Sequence, residues 1–179
     1  FEKYQIPTQT MSYHAQSGEA KVEIILEKIE EGKNIALVTD AGTPGISDPG
    51  SMLISQIREK FPELEITAIP GASALTTALS IAGVPTHEFV FLGFLPHKKG
   101  RETLFKEIAE SDRTMVFYES THRILKTLES LTKISKKVTI IRELTKIYEE
   151  VLQGSAEDVL KIMTDTPEKQ KGEFVVIVS

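Results

Sequence analysis

The stretch Val38-Thr39-Asp40-Ala41-Gly42-Thr43-Pro44-Gly45-Ile46-Ser47-Asp48-Pro49-Gly50 decides the interpretation of this chain. It follows an apolar run over 35–37 and is predicted to leave the C-terminal end of a buried strand, where open α/β sheets bind their ligands. Three glycines and two prolines from Gly42 to Gly50 indicate a stiff loop whose glycines can take positive φ values. The carboxylates of Asp40 and Asp48 suit a cation or hydroxyl groups, and the loop lacks the lysine of a P-loop. A tight connection in which Asp48 caps the next helix fits these residues equally well.

The residues around this loop predict an alternation of strands and helices in the first half of the chain. Apolar periodicity predicts helices over 17–31, with Ser17 as the N-cap, over 51–60 and over 71–82. Short apolar runs predict buried strands over 35–39 and 66–69. This order implies right-handed parallel βαβ units.

The break Gly83-Val84-Pro85 predicts a domain boundary near Thr86, so that residues 1–86 and 87–179 form two α/β domains. In the second domain we expect strands over 89–94, 114–118, 137–141, 151–153 and 173–178, with helices over 101–111, 121–132 and 155–163. Ser155 and Asp158 resemble a capping box, and 164–172 is a polar loop that we expect to be mobile.

The composition is that of an ordinary globular protein of 179 residues, with 40% hydrophobic and 26% charged residues. Cysteine is absent, and the four histidines form no zinc pattern. The sequence shows neither a long apolar run nor a signal peptide, which favours a cytoplasmic protein. The net charge of −5 means that an RNA site must be sought residue by residue. The chain opens at Phe1-Glu2-Lys3 without an initiator methionine, and we interpret it as lacking its natural N-terminus.

The 40–50 loop resembles the signature loop of the tetrapyrrole (corrin/porphyrin) methylase superfamily, whose general form is Gly-Asp-Pro. Gly42-Thr43-Pro44 departs from that form at Thr43, as does one branch, the bacterial ribose 2′-O-methyltransferases of small-subunit ribosomal RNA. Further segments match this branch in the same order: Ile69-Pro70-Gly71-Ala72-Ser73, Gly93-Phe94-Leu95-Pro96, Phe117-Tyr118-Glu119-Ser120-Thr121-His122-Arg123, Arg142-Glu143-Leu144-Thr145-Lys146 and, more weakly, Lys171-Gly172-Glu173.

The resemblance implies a fold of two α/β domains, with S-adenosylmethionine as the cofactor in the interdomain cleft. It also implies that a strand–loop–helix unit containing a Gly-Asn-Leu loop, which this sequence lacks, would precede Phe1. The carboxylates of the loop suit the sulfonium cation, and the small residues of the next turn leave room at a helix N-terminus. The donor contacts that the resemblance implies are Asp40, Ala41, Gly42, Thr43, Pro44, Gly45, Ile46, Ser47 and Asp48 in the loop, Pro70, Gly71, Ala72, Ser73 and Ala74 in the turn, and Tyr118, Glu119 and Glu173.

Positively charged residues predict where the acceptor binds. Lys98, Lys99 and Arg101 lie in a short loop that we expect to contact phosphates, although a solvated turn is the alternative. Arg123 begins a helix, where a cation opposes the macrodipole, which hints at a role in RNA binding. Arg142 is a further candidate, for which a structural ion-pair network is equally plausible. Phe89, Phe91 and Phe94 could stack on bases, but their alternation in a strand favours packing in the core.

The expected reaction is direct S_N2 transfer of a methyl group to a ribose 2′-hydroxyl of small-subunit ribosomal RNA or of the 30S subunit. Glu119 is the first candidate for a general base, and Glu143 or Lys146 the second. We expect no metal, since Asp40 and Asp48 have no further oxygen ligands beside them. As a separate expectation, the protein forms a homodimer. Two alternatives remain: methylation of a tetrapyrrole carbon, and a non-catalytic module that binds nucleotide or RNA.

Overall fold

The computed structural model describes residues 2–14 and 16–179, and the chain divides into two compact units between Gly71 and Ala72. The sequence predicts the boundary later, near Thr86. The segment between these two points contains helix α3 (Ala74–Ile81), whose buried Ala78 and Leu79 belong to an apolar cluster of the second unit. No helix of the described residues is both long and apolar enough to span a membrane.

The first unit contains two helices, α1 (Glu19–Glu30) and α2 (Ser51–Lys60), after a short 3-10 helix at Glu2–Tyr4. The two predicted helices are confirmed, and their buried residues form one small core: Val22, Ile25, Leu53 and Ile57. Ser17 does not cap α1, because its hydroxyl accepts a hydrogen bond from the His14 amide at 2.7 Å while Gly18 takes the N-cap position.

The strands predicted over 35–39 and 66–69 are not formed, and that prediction was wrong for the described residues. Both segments are irregular, and neither takes part in the sheet that these residues form. A strand needs a neighbouring chain to pair its backbone N–H and C=O groups, and apolar composition cannot supply that neighbour. Without one, Val38 is 63% exposed and Ile69 is 82% exposed. Because neither strand forms, the parallel βαβ units expected in this half are not observed.

The second unit is built on a five-stranded mixed sheet with the order β1-β2-β5-β3-β4. Strands β1 and β2 pair in parallel, and the other three pairings are antiparallel. The elements after α3 are β1 (Phe89–Phe94), α4 (Arg101–Glu110), β2 (Thr114–Ser120), α5 (Ile124–Leu131), β3 (Lys137–Arg142), β4 (Glu150–Ser155), α6 (Ala156–Asp165), a 3-10 helix (Pro167–Gln170) and β5 (Glu173–Val178). The predicted strands and helices of this half are confirmed, while the 3-10 helix lies inside the segment predicted as a loop.

The two faces of this sheet carry different apolar clusters. Side chains such as Met115 and Phe117 pack with helices α4, α5 and α6 in the larger cluster. Their neighbours on the same strand, Val116 and Tyr118, belong to the smaller cluster with α3. This alternation follows from the period of two residues in a strand, and it sets which side chains of β2 can share a site. Ser155 Oγ accepts from the Asp158 amide at 3.1 Å and donates to the Asp158 carboxylate at 2.7 Å, so Ser155 is the N-cap of α6 and half of the expected capping box is formed.

Candidate functional site

The 40–50 loop has the backbone conformation that its glycines predict. Gly42, Gly45 and Gly50 take φ values of 76°, 83° and 144°, and Ser47 takes 59° although it has a side chain. Only glycine adopts such angles without steric cost, so these positions fix the path of the loop. A non-glycine residue at positive φ stores backbone strain, which often accompanies binding sites.

The carboxylates of the loop are not used as helix caps. The N-cap of α2 is Gly50, with no side-chain cap, so the alternative in which Asp48 caps this helix is wrong. Asp48 instead accepts a hydrogen bond from the Thr39 hydroxyl at 3.3 Å, and Asp40 is exposed. A Cβ atom on Gly50 would lie 2.7 Å from the Leu37 Cδ2, so Gly50 serves the packing of the loop itself.

The turn 70–74 contains the start of α3 and the division between the two units. Pro70 and Gly71 end the first unit, and Ala72, Ser73 and Ala74 begin the second. The Ser73 carbonyl accepts the Thr77 amide at 3.0 Å, and Ser73 is the N-cap of α3 without a side-chain cap bond. A Cβ atom on Gly71 would meet nothing within 4 Å, which leaves open space beside this backbone.

Tyr118 and Glu119 point to opposite faces of the second unit's sheet. Tyr118 packs with the α3 side, and its ring lies edge-on to Phe91 at 5.0 Å and to Phe94 at 5.6 Å between centroids. Glu119 instead accepts a hydrogen bond from Thr127 of α5, on the other face. The two side chains therefore cannot contact one ligand together on a single face.

The Glu119 carboxylate is buried and fully occupied by neighbours in the interior. One oxygen accepts from the Thr127 hydroxyl at 2.6 Å, and the other accepts from the Ser120 amide at 2.8 Å and lies 3.4 Å from Arg123 Nε. Its side chain has 0% exposure, so an acceptor hydroxyl has no path to it in this arrangement. These contacts favour a positioning role for Glu119 over that of a general base.

Arg101 and Arg123, two of the three arginines predicted to bind RNA, take part in the same network. Arg101 donates to the Thr127 hydroxyl at 2.8 Å and to the Pro96 carbonyl at 3.4 Å. Arg123 donates to the Leu95 carbonyl at 2.6 Å and to the Pro96 carbonyl at 3.3 Å. Burial, and then the nearby charge of Arg123, lower the pKa of Arg101. Both guanidinium groups therefore hold the segment after β1, and of the predicted basic loop only Lys98 and Lys99 remain exposed.

Glu143, Lys146 and Glu173 form a second cluster at the start of the turn between β3 and β4. Lys146 Nζ lies 2.9 Å from Glu143 Oε1 and 2.8 Å from Glu173 Oε2. The hydrogen bond from Lys146, followed by that from the Glu173 amide, lowers the pKa of Glu143. Hydrogen bonds to Glu173 and then to Glu143 raise the pKa of Lys146. The lowered pKa makes the Glu143 carboxylate a weaker base, and the raised pKa keeps Lys146 protonated at neutral pH, so both shifts disfavour these groups as the base.

Arg142 fastens this turn to its surroundings through backbone carbonyls. Its guanidinium donates to the carbonyls of Lys171 at 2.7 Å, Tyr148 at 3.2 Å and Glu168 at 3.1 Å. Each of its three nitrogens has a partner, and this supports the structural alternative stated for Arg142 over RNA contact. The turn also holds two non-glycine residues at positive φ, Glu143 at 50° and Thr145 at 66°.

A bulge in β1 is the feature of this region that the sequence analysis misses. Phe91 pairs with Val116 and Phe94 with Tyr118, so β1 contains one extra residue between these pairs. Gly93 has a φ of 63°, the left-handed value that such a bulge requires. A lone glycine inside a predicted strand was the signal that could have revealed it.

Known proteins share the sequence pattern of this chain. The model of the tetrapyrrole (corrin/porphyrin) methylases matches residues 2–160. The chain is 41% identical over 179 residues to the ribosomal RNA small subunit methyltransferase I of Haemophilus influenzae, covering 98% of this chain and 62% of that protein. It is 40% identical to the protein of the same name from Synechocystis, covering 99% of this chain and 64% of that protein. The chain therefore spans less than two thirds of the length of these two relatives.

Solved structures share the fold. The crystal structure of the methyltransferase CobJ matches with a TM-score of 0.62 and 26% identity, over 89% of this chain and 70% of that one. The cobalt precorrin-4 methyltransferase CbiF matches with a TM-score of 0.61 and 18% identity, over 92% of this chain and 72% of that one, and this likeness concerns the fold alone.

Proposed function

Because the chain belongs to the tetrapyrrole (corrin/porphyrin) methylase family, we propose that it transfers a methyl group from S-adenosylmethionine to a ribose 2′-hydroxyl of small-subunit ribosomal RNA. The observation that carries this proposal is the 41% identity to a ribosomal RNA small subunit methyltransferase I over 98% of the chain. The partner would be the small subunit or its RNA in the cytoplasm, and the working form a homodimer.

The residues of the 40–50 loop fit the donor. The loop holds Asp40 and Asp48 and no lysine or arginine, so its charge is complementary to a sulfonium. Positive φ values at Gly42 and Gly45 let backbone groups approach a ligand closely. S-adenosylmethionine would supply an electrophilic methyl group on a positively charged sulfur. We assign the polar contacts to Asp40, Asp48 and the backbone between them.

A second set of donor contacts is proposed in the second unit, at the start of α3 and at Tyr118. Both belong to the face of the sheet that carries the α3 cluster. Ser73 and Ala74 are small and stand at a helix N-terminus, which suits a carboxylate or hydroxyl of a ligand. Glu173 is held by Lys146, and its donor contact remains part of the proposal.

Orientation is the main source of catalysis in this proposal. Aligning two reactants is worth an effective molarity of about 10⁵ M or more, whereas a general base adds roughly 10²- to 10⁴-fold. Glu119 is buried and Lys146 is held protonated by two carboxylates, so neither is placed to take a proton. We therefore assign Glu119 to positioning the segment after β1, through Thr127 and Arg123.

Lys98 and Lys99 are the phosphate contacts in this proposal. They are exposed in the loop after β1, whose backbone is anchored through the Leu95 and Pro96 carbonyls. Arg101 and Arg123 provide that anchoring and are assigned no direct RNA contact.

Methylation of a tetrapyrrole carbon is the second candidate, favoured by the likeness to CobJ at 26% identity. A polycarboxylate acceptor would also be attracted to Lys98 and Lys99, so charge alone does not separate the two acceptors. A methyl-transfer assay with each class of acceptor separates the two candidates.

The test offers tritium-labelled S-adenosylmethionine with either small ribosomal subunits lacking the modification or a uroporphyrin-type tetrapyrrole. We expect label in the RNA and none in the tetrapyrrole. Gly42→Val should abolish transfer in a folded protein, because valine is strained at φ 76° and the backbone of the loop would have to change. Gly18→Ala is the matched control, since a Cβ atom there meets nothing within 4 Å. Label in the tetrapyrrole alone would favour the second candidate, and label in neither would refute the proposed function.

A further inference from the structure

We infer that the Phe94 ring is a stacking platform for an unpaired RNA base; this inference rests on the proposed function and names one contact of its acceptor. Phe94 closes β1, an edge strand of the sheet, and its side chain is 56% exposed. Phe91, on the same strand, is half-buried against the α3 cluster. Packing in the core explains the position of Phe91, but it does not explain why Phe94 is exposed.

The bulge at Gly93 selects the face on which Phe94 lies. In a regular strand, residue 94 would follow Val90 and Leu92 to the face of the larger cluster. The extra residue between Phe91 and Phe94 reverses this alternation, and the Phe94 ring meets Tyr118 edge-on instead. One face of a phenyl ring held in this way stays available for a planar partner.

The segment that follows holds Phe94 in place. Leu95 is buried, and its carbonyl accepts from Arg123 at 2.6 Å. The next carbonyl, that of Pro96, accepts from both Arg101 and Arg123 at 3.4 and 3.3 Å. Strand pairing at Phe94 and these anchored carbonyls fix the backbone that carries the ring. A ring held in this way loses little conformational entropy when a ligand stacks on it, which strengthens binding.

The charges near Phe94 in the chain point to a nucleic acid as the partner. Lys98 and Lys99 follow it within one loop, and both are exposed. Proteins that bind single-stranded RNA combine aromatic rings, on which bases stack, with positive charges along the backbone path. A protein partner would need an apolar surface, whereas two exposed lysines follow this ring in the chain.

The test compares Phe94→Leu with Phe94→Trp, using fluorescence anisotropy of a labelled single-stranded fragment of small-subunit RNA over a salt series. Leucine keeps an apolar side chain but removes the ring, so affinity should fall roughly 5- to 150-fold with an unchanged salt slope. Tryptophan should retain the affinity. Lys98→Ala with Lys99→Ala should instead flatten the log–log slope by about 0.7 per lost contact. Thermal unfolding of both Phe94 variants checks their fold.

Each other result has a definite meaning. Wild-type affinity in Phe94→Leu would overturn the stacking assignment alone, because the unaltered protein still binds RNA. Loss of donor affinity with RNA affinity retained would overturn it in favour of a donor contact. A changed oligomeric state by light scattering, with RNA affinity retained, would overturn it in favour of a protein interface. Failure of the unaltered protein to bind the fragment would refute the RNA acceptor itself.

Discussion

At the scale of residues, the positive charges near the segment after β1 divide into an exposed pair and a pair that binds carbonyls of the protein itself. Lys98 and Lys99 are exposed, whereas Arg101 and Arg123 donate to the carbonyls of Leu95 and Pro96. Arginine suits the binding of these carbonyls because its planar guanidinium group donates to several acceptors at once. The sequence identifies all four as cations, but it cannot show which of them bind the protein's own carbonyls.

The Thr127 hydroxyl links Arg101 and Glu119 through two hydrogen bonds, and removal of this hydroxyl should destabilise the second unit. Thr127→Val keeps the shape but leaves a buried guanidinium and a buried carboxylate each short of one hydrogen bond. An unsatisfied buried polar group costs about 1–3 kcal/mol. Urea unfolding followed by circular dichroism measures the free energy of unfolding.

Thr132→Val is the matched control, because the Thr132 hydroxyl donates to the Glu129 carbonyl at an exposed position. Surface changes of this kind stay within about 0.5 kcal/mol. Equal stabilities of the two variants would show that the buried network contributes nothing, and the positioning role of Glu119 would lose its support.

At the scale of elements, the turn between β3 and β4 is held by charges whose effect depends on pH. The Glu143 pKa is lowered, so its contribution to stability is present above its unfolded pKa and is lost as pH falls through the lowered value. The Lys146 pKa is raised, so its contribution is present below its unfolded pKa and is lost as pH rises through the raised value. The turn is therefore most stable between these limits.

Lys146→Met should reduce stability over the range from about pH 5 to about pH 10, set by the unfolded pKa values of glutamate and lysine. The difference from the unaltered protein should shrink below and above that range. High salt should shrink it throughout, because Lys146 and Glu173 are partly exposed. Urea unfolding across pH measures this difference, with Glu143→Gln and the double variant completing the cycle. A coupling between Glu143 and Lys146 that is independent of pH and salt would contradict the assignment.

Local patterns predict the elements of the second unit well, because each strand there finds a partner. The runs at 89–94 and 173–178 are strands with the predicted bounds, and the Ser155 side chain caps α6. The similar runs at 35–39 and 66–69 are not strands in the described chain. An apolar pattern indicates that a segment prefers burial. Strand formation also requires a neighbouring strand to pair with, which no local pattern encodes.

The candidate site could be predicted in part, for a related reason. The left-handed glycines of the 40–50 loop follow from their composition, and Gly42, Gly45 and Gly50 have positive φ values. Glu119 is adjacent to Tyr118 in a matching segment, yet strand alternation turns its side chain to the opposite face. The bulge at Gly93 and the carbonyl contacts of Arg101 and Arg123 depend on tertiary structure, which a single sequence does not display.

At the scale of the whole molecule, a fold shared with a methylase family is proposed to carry out one specific reaction. The chain spans 62% and 64% of the lengths of its Haemophilus and Synechocystis relatives, so its reaction is a proposal that their similarity supports. Its net charge of −5 gives no general attraction to RNA. Binding must then come from local groups, and Lys98, Lys99 and the Phe94 ring are the ones proposed.

The central claim is that the methyl group goes to a ribose 2′-oxygen, and alkaline hydrolysis of the labelled RNA tests it most directly. Alkali cleaves RNA through the free 2′-hydroxyl, so a 2′-O-methyl group leaves one linkage uncut. Small-subunit RNA labelled from tritiated S-adenosylmethionine should therefore yield its label in an alkali-stable dinucleotide. Label recovered in a mononucleotide would place the methyl group on a base and contradict the account.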